Sequence, residues 1–229
     1  QPMFAQIAQG YLPNEVGWII ALGTVLLLFY SMFNSRQRKR RYNFELPPIS
    51  LDIAKTLLFS VLVLIYVHLV NQYKGIQAPV LLLALVALAV SYVSTNTRFG
   101  RYAYAIGGNR QAAQFSGVNI KRNIFTIFVM MGTLCGVSGV TLASYVGYGT
   151  ISAGQGYELD AIAACILGGT STLGGVGTVF GAMVGSLIMV SLTNGLQMTN
   201  TPAAFQYVLK GIVLVIAVYA DIRIKRSSN

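Results

Sequence analysis

Acidic side chains are scarce in this sequence. Six Asp and Glu stand among 229 residues, beside one histidine, two cysteines and one tryptophan. Asp, Glu, Lys and Arg together make up only 10%, against about 25% in an ordinary soluble domain. That is too few solvating side chains to wet the surface of a soluble fold. Cys135 and Cys165 lie inside apolar stretches, without a CxxC spacing and without a neighbouring histidine, so no zinc or dithiol motif is legible. Both read as small buried apolar residues. His68 sits near the end of an apolar run, an interfacial position and not half of a catalytic pair. With no nucleophile–base pair and no ligand cluster, neither a catalytic site, a metal nor a resident cofactor is expected in this chain. Methionine is missing from the start: the chain opens on Gln1-Pro2, its first apolar run begins only near Val16, and no leader pattern is legible. Residues before Gln1 are therefore expected.

What the chain has is apolar length. Hydrophobic residues reach 55%, the mean hydropathy is +0.63, and the apolar residues are gathered into runs instead of alternating with polar ones. A helix needs about 20 apolar residues to cross the hydrocarbon core of a bilayer. Runs at Val16–Phe33, Leu51–Val70, Ala78–Val93, Ile124–Tyr148, Val176–Leu192 and Phe205–Ala220 meet or approach that length, while Ala161–Leu167 is too short. Lipid offers no partner to open backbone groups, so the spans must be helical. The expected fold is all-α, a polytopic integral membrane helical bundle with a short broken or re-entrant element. It forms one membrane domain over 1–229, N-terminally incomplete, with a cytoplasmic loop at 94–123.

The net charge of +10 would suit nucleic acid if it lay on one folded face. Instead it falls between and after the apolar runs, so no nucleic-acid partner is expected. Arg36, Arg38, Lys39, Arg40 and Arg41 follow the first run. Arg98, Arg101, Arg110, Lys121 and Arg122 follow the third, and Arg223, Lys225 and Arg226 follow the last, making 13 of the 16 Lys and Arg residues. The positive-inside rule places these three segments in the cytoplasm, and the first also suits contact with lipid headgroups. Parity then constrains the middle of the chain. The fourth run exits and the last must return, so the stretch from Gly149 to about Pro202 begins and ends outside. Val176–Leu192 alone cannot satisfy that. Ala161–Gly175 must either cross as a short broken helix or dip in and pair with Val176–Leu192. Irregular backbone at that depth is tolerated only when buried in protein or lining a cavity.

The glycine-rich stretch there carries Gly168, Gly169, Thr170, Ser171, Gly174, Gly175, Gly177 and Gly181. It lacks the Lys-Ser/Thr ending of a phosphate-binding loop, and Phe180 stands where a dinucleotide fingerprint needs its third glycine. Gly177, Gly181 and Gly185 recur every four residues, which places them on one helix face and allows close approach; Gly132 and Gly136 repeat the spacing in the fourth span. Just before it, Glu158 and Asp160 are expected at the outer mouth, capping a short helix that starts at Ala161, where carboxylates favour a helix N-terminus. Lys210, a turn or two inside the last span, either serves the pathway or snorkels outward. Ser50 suits an N-cap, with Asp52 and Lys55 as a pair one turn apart. In the loop at 94–123, Asn109 suits an N-cap, Gln111, Ala112, Ala113 and Gln114 favour helix, and Gly117 suits its stop. Such a short, small-residue surface helix is what a rigid docking knob requires.

Four blocks carry a family resemblance. Tyr104-Ala-Ile-Gly-Gly-Asn109 with Ala112-Ala113 and Ser116-Gly117 is similar to the coupling segment of permeases in the ribose/galactose/xylose branch of ATP-binding-cassette sugar importers. Tyr157–Ala164 with Leu167–Ser171 and Gly174-Gly175 resembles the same family, as do Ser191–Gly195 and Gln206–Gly211, so nearly the whole chain is covered. Gln9–Pro13, Asn71–Leu83 and Asp160–Cys165 most resemble the branch's D-xylose permeases. The resemblance implies a subunit of the bacterial cytoplasmic (inner) membrane that imports a monosaccharide. Its implied partners are a separate ATPase that binds the ATP, a periplasmic or lipid-anchored sugar-binding protein and a second permease copy. It implies that Gly107, Gly108, Asn109, Gln111, Ala112, Ala113, Ser116 and Gly117 dock on the ATPase. Where Gln111 and Gln114 stand the family commonly has an acid and an arginine, so salt-bridged docking is not expected. The family's N-terminal spans are also absent, so this chain alone is not expected to transport.

Two other classes compete on residues alone. A membrane enzyme needs a catalytic cluster at depth, but Glu158, Asp160 and His68 do not converge by parity. A passive facilitator has no use for a long docking loop.

Overall fold

The computed structural model describes residues 2–41, 49–151 and 153–227, all helix, turn or irregular backbone apart from one isolated bridge between Tyr11 and Gln77. Among the described residues, six helices are long and apolar enough to cross a membrane. The side chains of Arg38, Lys39, Arg40, Arg41, Lys225 and Arg226, part of the positive-inside pattern, lie outside the described residues.

Two compact units divide the chain, residues 1–82 and 83–229. The first holds α1 (Pro2–Gln9), α2 (Asn14–Arg41), α3 (Ile49–Tyr73) and the opening of α4 (Ala78–Asn96). Ala21, Val67 and Ile76 form its small core, with Val63, Leu64, Val70 and Leu81 packed around. The connection before α4 is tied to the one after α1, since Leu12 N donates to Ile76 O and Ala78 N to Gly10 O, both at 2.9 Å. Ser50 falls inside α3 rather than ahead of it, and Asp52 pairs with Arg36 at 3.4 Å rather than with Lys55. The apolar run is simply entered earlier than its polar flank suggests. His68 lies against Trp18, ring centroids 6.2 Å apart, with Gln72 Nε2 3.1 Å from its Nε2.

The second unit continues α4 into α5 (Arg98–Gly108), α6 (Arg110–Phe115), α7 (Ile120–Val146), α8 (Tyr157–Leu167), α9 (Val179–Met198) and α10 (Ala203–Ser227). α8 packs on both α9 and α10 around Ala163, Ala164 and Met189. α4 buries no residue, and α7 buries only Ile120, Asn123 and Ser144, towards its two ends. Leu85, Leu88, Phe125 and Val215 are each 65–70% exposed. In water that much bare hydrocarbon would drive aggregation; in a bilayer it is the solvated face.

Three expectations are corrected here. The short helix begins at Tyr157, not Ala161, because Gly156 takes a left-handed φ of +81° that turns the chain into it. Glu158 and Asp160 thus lie inside its first turn, where they still face the positive end of the dipole, and neither side chain caps it. Gly177 is not on the α9 face: Thr178 caps that helix, its side chain accepting from Gly181 N, and Gly177 precedes the cap. A side chain at Gly132 or Gly136 would meet nothing within 4 Å, so that pair makes no close approach inside this unit.

Candidate coupling site

The loop at 94–123 folds as a chain of capped helices. The Thr97 hydroxyl accepts from Gly100 N at the start of α5. Asn109 ends α5 and caps α6, its Oδ1 accepting from Ala112 N at 2.9 Å. Ser116 Oγ donates to Ala112 O at 2.9 Å, Val118 N to Ala113 O at 3.1 Å, and Gly117 takes the left-handed φ of +79° that lets the chain reverse. Asn119 caps α7 by accepting from Arg122 N. Each cap satisfies a backbone donor that a helix end would leave open. Ala113 is buried, while Gln111, Ala112 and Gln114 face outward. Phe115 is 90% exposed. The short α6 thus holds this ring outward with nearly all of its surface uncovered. Sequence reading passed over it, although an aromatic just before a Ser-Gly stop was available as a signal.

Residues 168–178 form a tight hook between α8 and α9. Gly169 N donates to Ile166 O, Thr170 N to Cys165 O, Ser171 N to Val176 O and Gly174 N to Ser171 O, at 2.9–3.1 Å. Two anchors hold the hook from outside. Asp221 Oδ2, near the end of α10, accepts from Thr172 N at 3.0 Å and Thr172 Oγ1 at 2.9 Å, with Ser171 Oγ at 3.5 Å. The Tyr104 hydroxyl, on α5, donates to Gly177 O at 2.8 Å. Between the anchors, backbone lies on backbone. A Cβ at Gly107 would sit 2.6 Å from Gly175 N, and one at Gly175 would sit 2.8 Å from Gly108 Cα. Gly174 and Gly175 are also at φ +90° and +75°, which other residues rarely adopt. Any side chain at this crossing would part α5 from the hook.

The expected coupling and pathway residues therefore meet at one point: Gly107 and Gly108 lie on Gly174 and Gly175. Behind that contact α8 and α9 pack closely, because side chains at Gly181 and Gly185 would run into the carbonyls of Gly168 and Ala164. Gly177 packs on the Thr170 side chain. Glu158 is exposed, and a Cβ at Gly169 would meet open space, so neither belongs to this assembly.

Lys210 does not snorkel. It is buried, and its Nζ donates to Asp160 Oδ2 at 2.6 Å, while Asp160 Oδ1 is buried without a partner. The two side chains join α10 to α8. Asp160 faces Lys210 and Thr172 binds Asp221, eleven residues further along α10, roughly 16 Å at helical rise. The short element thus runs beside α10 down to the end marked by the basic loop and tail, and α9 carries the chain back. This satisfies parity with a helix of only 11 residues, about half the thickness of the hydrocarbon core. Among the described residues, no three His, Cys, Asp or Glu are placed to hold a metal.

Known proteins resemble this chain over most of its length. The family described as branched-chain amino acid transport system / permease component matches residues 10–218. The chain is similar to the xylose transport system permease protein of Haemophilus influenzae, 44% identical over 217 residues, covering 94% of the chain and 57% of the relative. Its counterpart in Escherichia coli K12 is 42% identical over 225 residues, covering 98% and 57%. The ribose import permease protein of the latter organism is 39% identical over 152 residues, 66% of the chain and 47% of that protein. The chain thus spans less than two thirds of the length of these relatives. No solved structure matches it. Together with the six apolar helices, these relatives identify a multi-pass protein of the bacterial inner membrane.

Proposed function

We propose a sugar cargo and an ATP-driven partner for this chain, which belongs to the branched-chain amino acid transport system permease component family. In this reading it is the greater part of the membrane subunit of an ATP-binding-cassette importer. The cargo is a monosaccharide, D-xylose, since the two xylose relatives match 94% and 98% of the chain. A ribose cargo is the second reading, supported by a match over 66% of it. A separate ATPase docks on α6 and binds the ATP, a sugar-binding protein delivers the cargo, and a second permease copy completes the pathway.

One observation carries the mechanical part: the exposed α6 is one residue removed from an α5 end that lies backbone to backbone on the hook. With no side chains interleaved, the two surfaces can slide or part without repacking a core. The Tyr104–Gly177 hydrogen bond and the Asp221 anchor keep them in register. A push on Phe115 and Ala112 would then reach α8 and α9 through the hook, and α10 through Asp221.

Ala112→Cys in the full-length permease, co-expressed with its ATPase, should give one specific disulfide or bis-maleimide product with a cysteine in the ATPase groove. A passive facilitator or a membrane enzyme gives none. Cargo is decided by uptake into proteoliposomes holding the full complex. Labelled D-xylose should enter in an ATP-dependent manner, and excess unlabelled ribose should compete poorly.

A further inference from the structure

An opening lies at the other side of α5, away from the hook. It has a volume of about 500 Å³, and Arg98, Tyr102, Asn119, Arg122, Asn123 and Thr126 line it. Arg98 opens α5 directly after α4 ends at Asn96, and Arg122 and Thr126 lie in the first two turns of α7. The opening is thus at the depth where two apolar spans meet the cytoplasm.

Three features give it chemical character. Two guanidiniums line it, and among the described residues no carboxylate holds either. The start of α7, a 27-residue helix, opens on it with the positive end of its dipole. Independently, Asn123 is 7% exposed and its Oδ1 is buried without a hydrogen-bond partner. A buried acceptor left open costs free energy until a donor reaches it. A ligand that suits these features brings negative oxygens for the arginines and an O–H or N–H for Asn123.

The surroundings say what such a group is attached to. Arg122, Phe125 and Val129 share one face of α7 by their spacing, and Phe125 and Val129 are 68% and 50% exposed. A cation at the membrane surface followed by bare apolar side chains along one helix matches a phospholipid with its headgroup in the opening and its acyl chains along α7. A carboxylate from a docked protein would use the arginines but leaves that apolar strip unexplained.

We propose that this opening is a binding site for an anionic glycerophospholipid of the cytoplasmic leaflet, its phosphodiester on Arg98 and Arg122 and a headgroup hydroxyl donating to Asn123. The site does not depend on which cargo the permease carries.

The test uses the full-length permease complex, purified in detergent and delipidated. Melting temperature is followed during titration with phosphatidylglycerol, with phosphatidylcholine, which has no hydroxyl or N–H donor, and with inorganic phosphate. Phosphatidylglycerol should stabilise saturably, and the other two should not at matched concentration. Arg98→Gln with Arg122→Gln should weaken its midpoint about thirtyfold, at roughly 1 kcal/mol per arginine. Lys121→Gln removes one charge from the same turn outside the opening and should cost less than Arg122→Gln alone. Asn123→Val should narrow the preference over phosphatidylcholine; should this buried substitution prevent folding, the exposed arginines decide the outcome. Equal losses from Lys121→Gln and Arg122→Gln would reduce the effect to diffuse surface charge and overturn the site. So would stabilisation by phosphate alone, or loss of the ATPase from the arginine variant with its lipid midpoint unchanged.

Discussion

α7 and α9 carry the same glycine spacing and put it to different use. Gly132 and Gly136 on α7 face open space, as does Gly139, while Gly181 and Gly185 on α9 have α8 backbone pressed on them. Spacing fixes a helix face; it does not supply a neighbour. The neighbour on α9 exists because the hook returns the chain on itself after 11 helical residues. No such return covers α7, where a side chain at any of its three glycines would meet nothing within 4 Å. A four-residue glycine repeat is therefore evidence of a possible close approach, and only topology says whether it is used.

The sharpest way to break that contrast is to fill both faces. Gly181→Leu should abolish folded protein, because its Cβ alone collides with the Gly168 carbonyl; overpacking ordinarily costs about 1–3 kcal/mol, and backbone here cannot move aside. Gly136→Leu should leave the yield of folded full-length protein, measured by size-exclusion chromatography in detergent, within about twofold of the parent. A loss as severe as that of Gly181→Leu would place a neighbour outside this chain on the α7 face.

The next largest effect concerns what holds α8 to α10. Lys210→Met leaves Asp160, whose side chain is only 22% exposed, a carboxylate with no counter-charge, at a cost of at most about 3–5 kcal/mol. Replacing both, with Asp160→Leu, should recover most of the melting temperature, since two apolar side chains suit the site. A double variant no better than Lys210→Met would mean that the pair does more than neutralise itself.

Smallest is Tyr104→Phe, which removes one hydrogen bond at the hook and should cost about 1 kcal/mol. Its effect on transport should exceed its effect on stability. ATPase activity of the reconstituted complex should persist while sugar uptake per ATP falls. Equal losses in stability and uptake would make Tyr104 a packing residue only.

Much of the frame is legible in the chain itself because bilayer thickness and charge placement are one-dimensional properties. All six long helices lie within a few residues of their apolar runs, and α6 with its Asn109 cap follows from local chemistry. α5 is not foreseeable in that way: Arg98–Gly108 mixes arginine, tyrosine and glycine, and its helix rests on caps and on packing against α7. Parity demands a broken element without giving its path, because the path is set by Asp160 with Lys210 and by Thr172 with Asp221, pairs about fifty positions apart. Asp221 escapes a sequence reading altogether. As one of six acids beside a basic tail it offers a faint signal, but nothing local assigns it to a hook fifty residues upstream.

The bond between Asp160 and Lys210 also bears on energy supply. An energised membrane pulls on a lone charge with about 2.3 kcal/mol per 100 mV, so a single lysine within a moving helix would tie each stroke to the voltage. Neutralised at 2.6 Å, the two side chains form a dipole without net charge, and the potential exerts no net force on the pair.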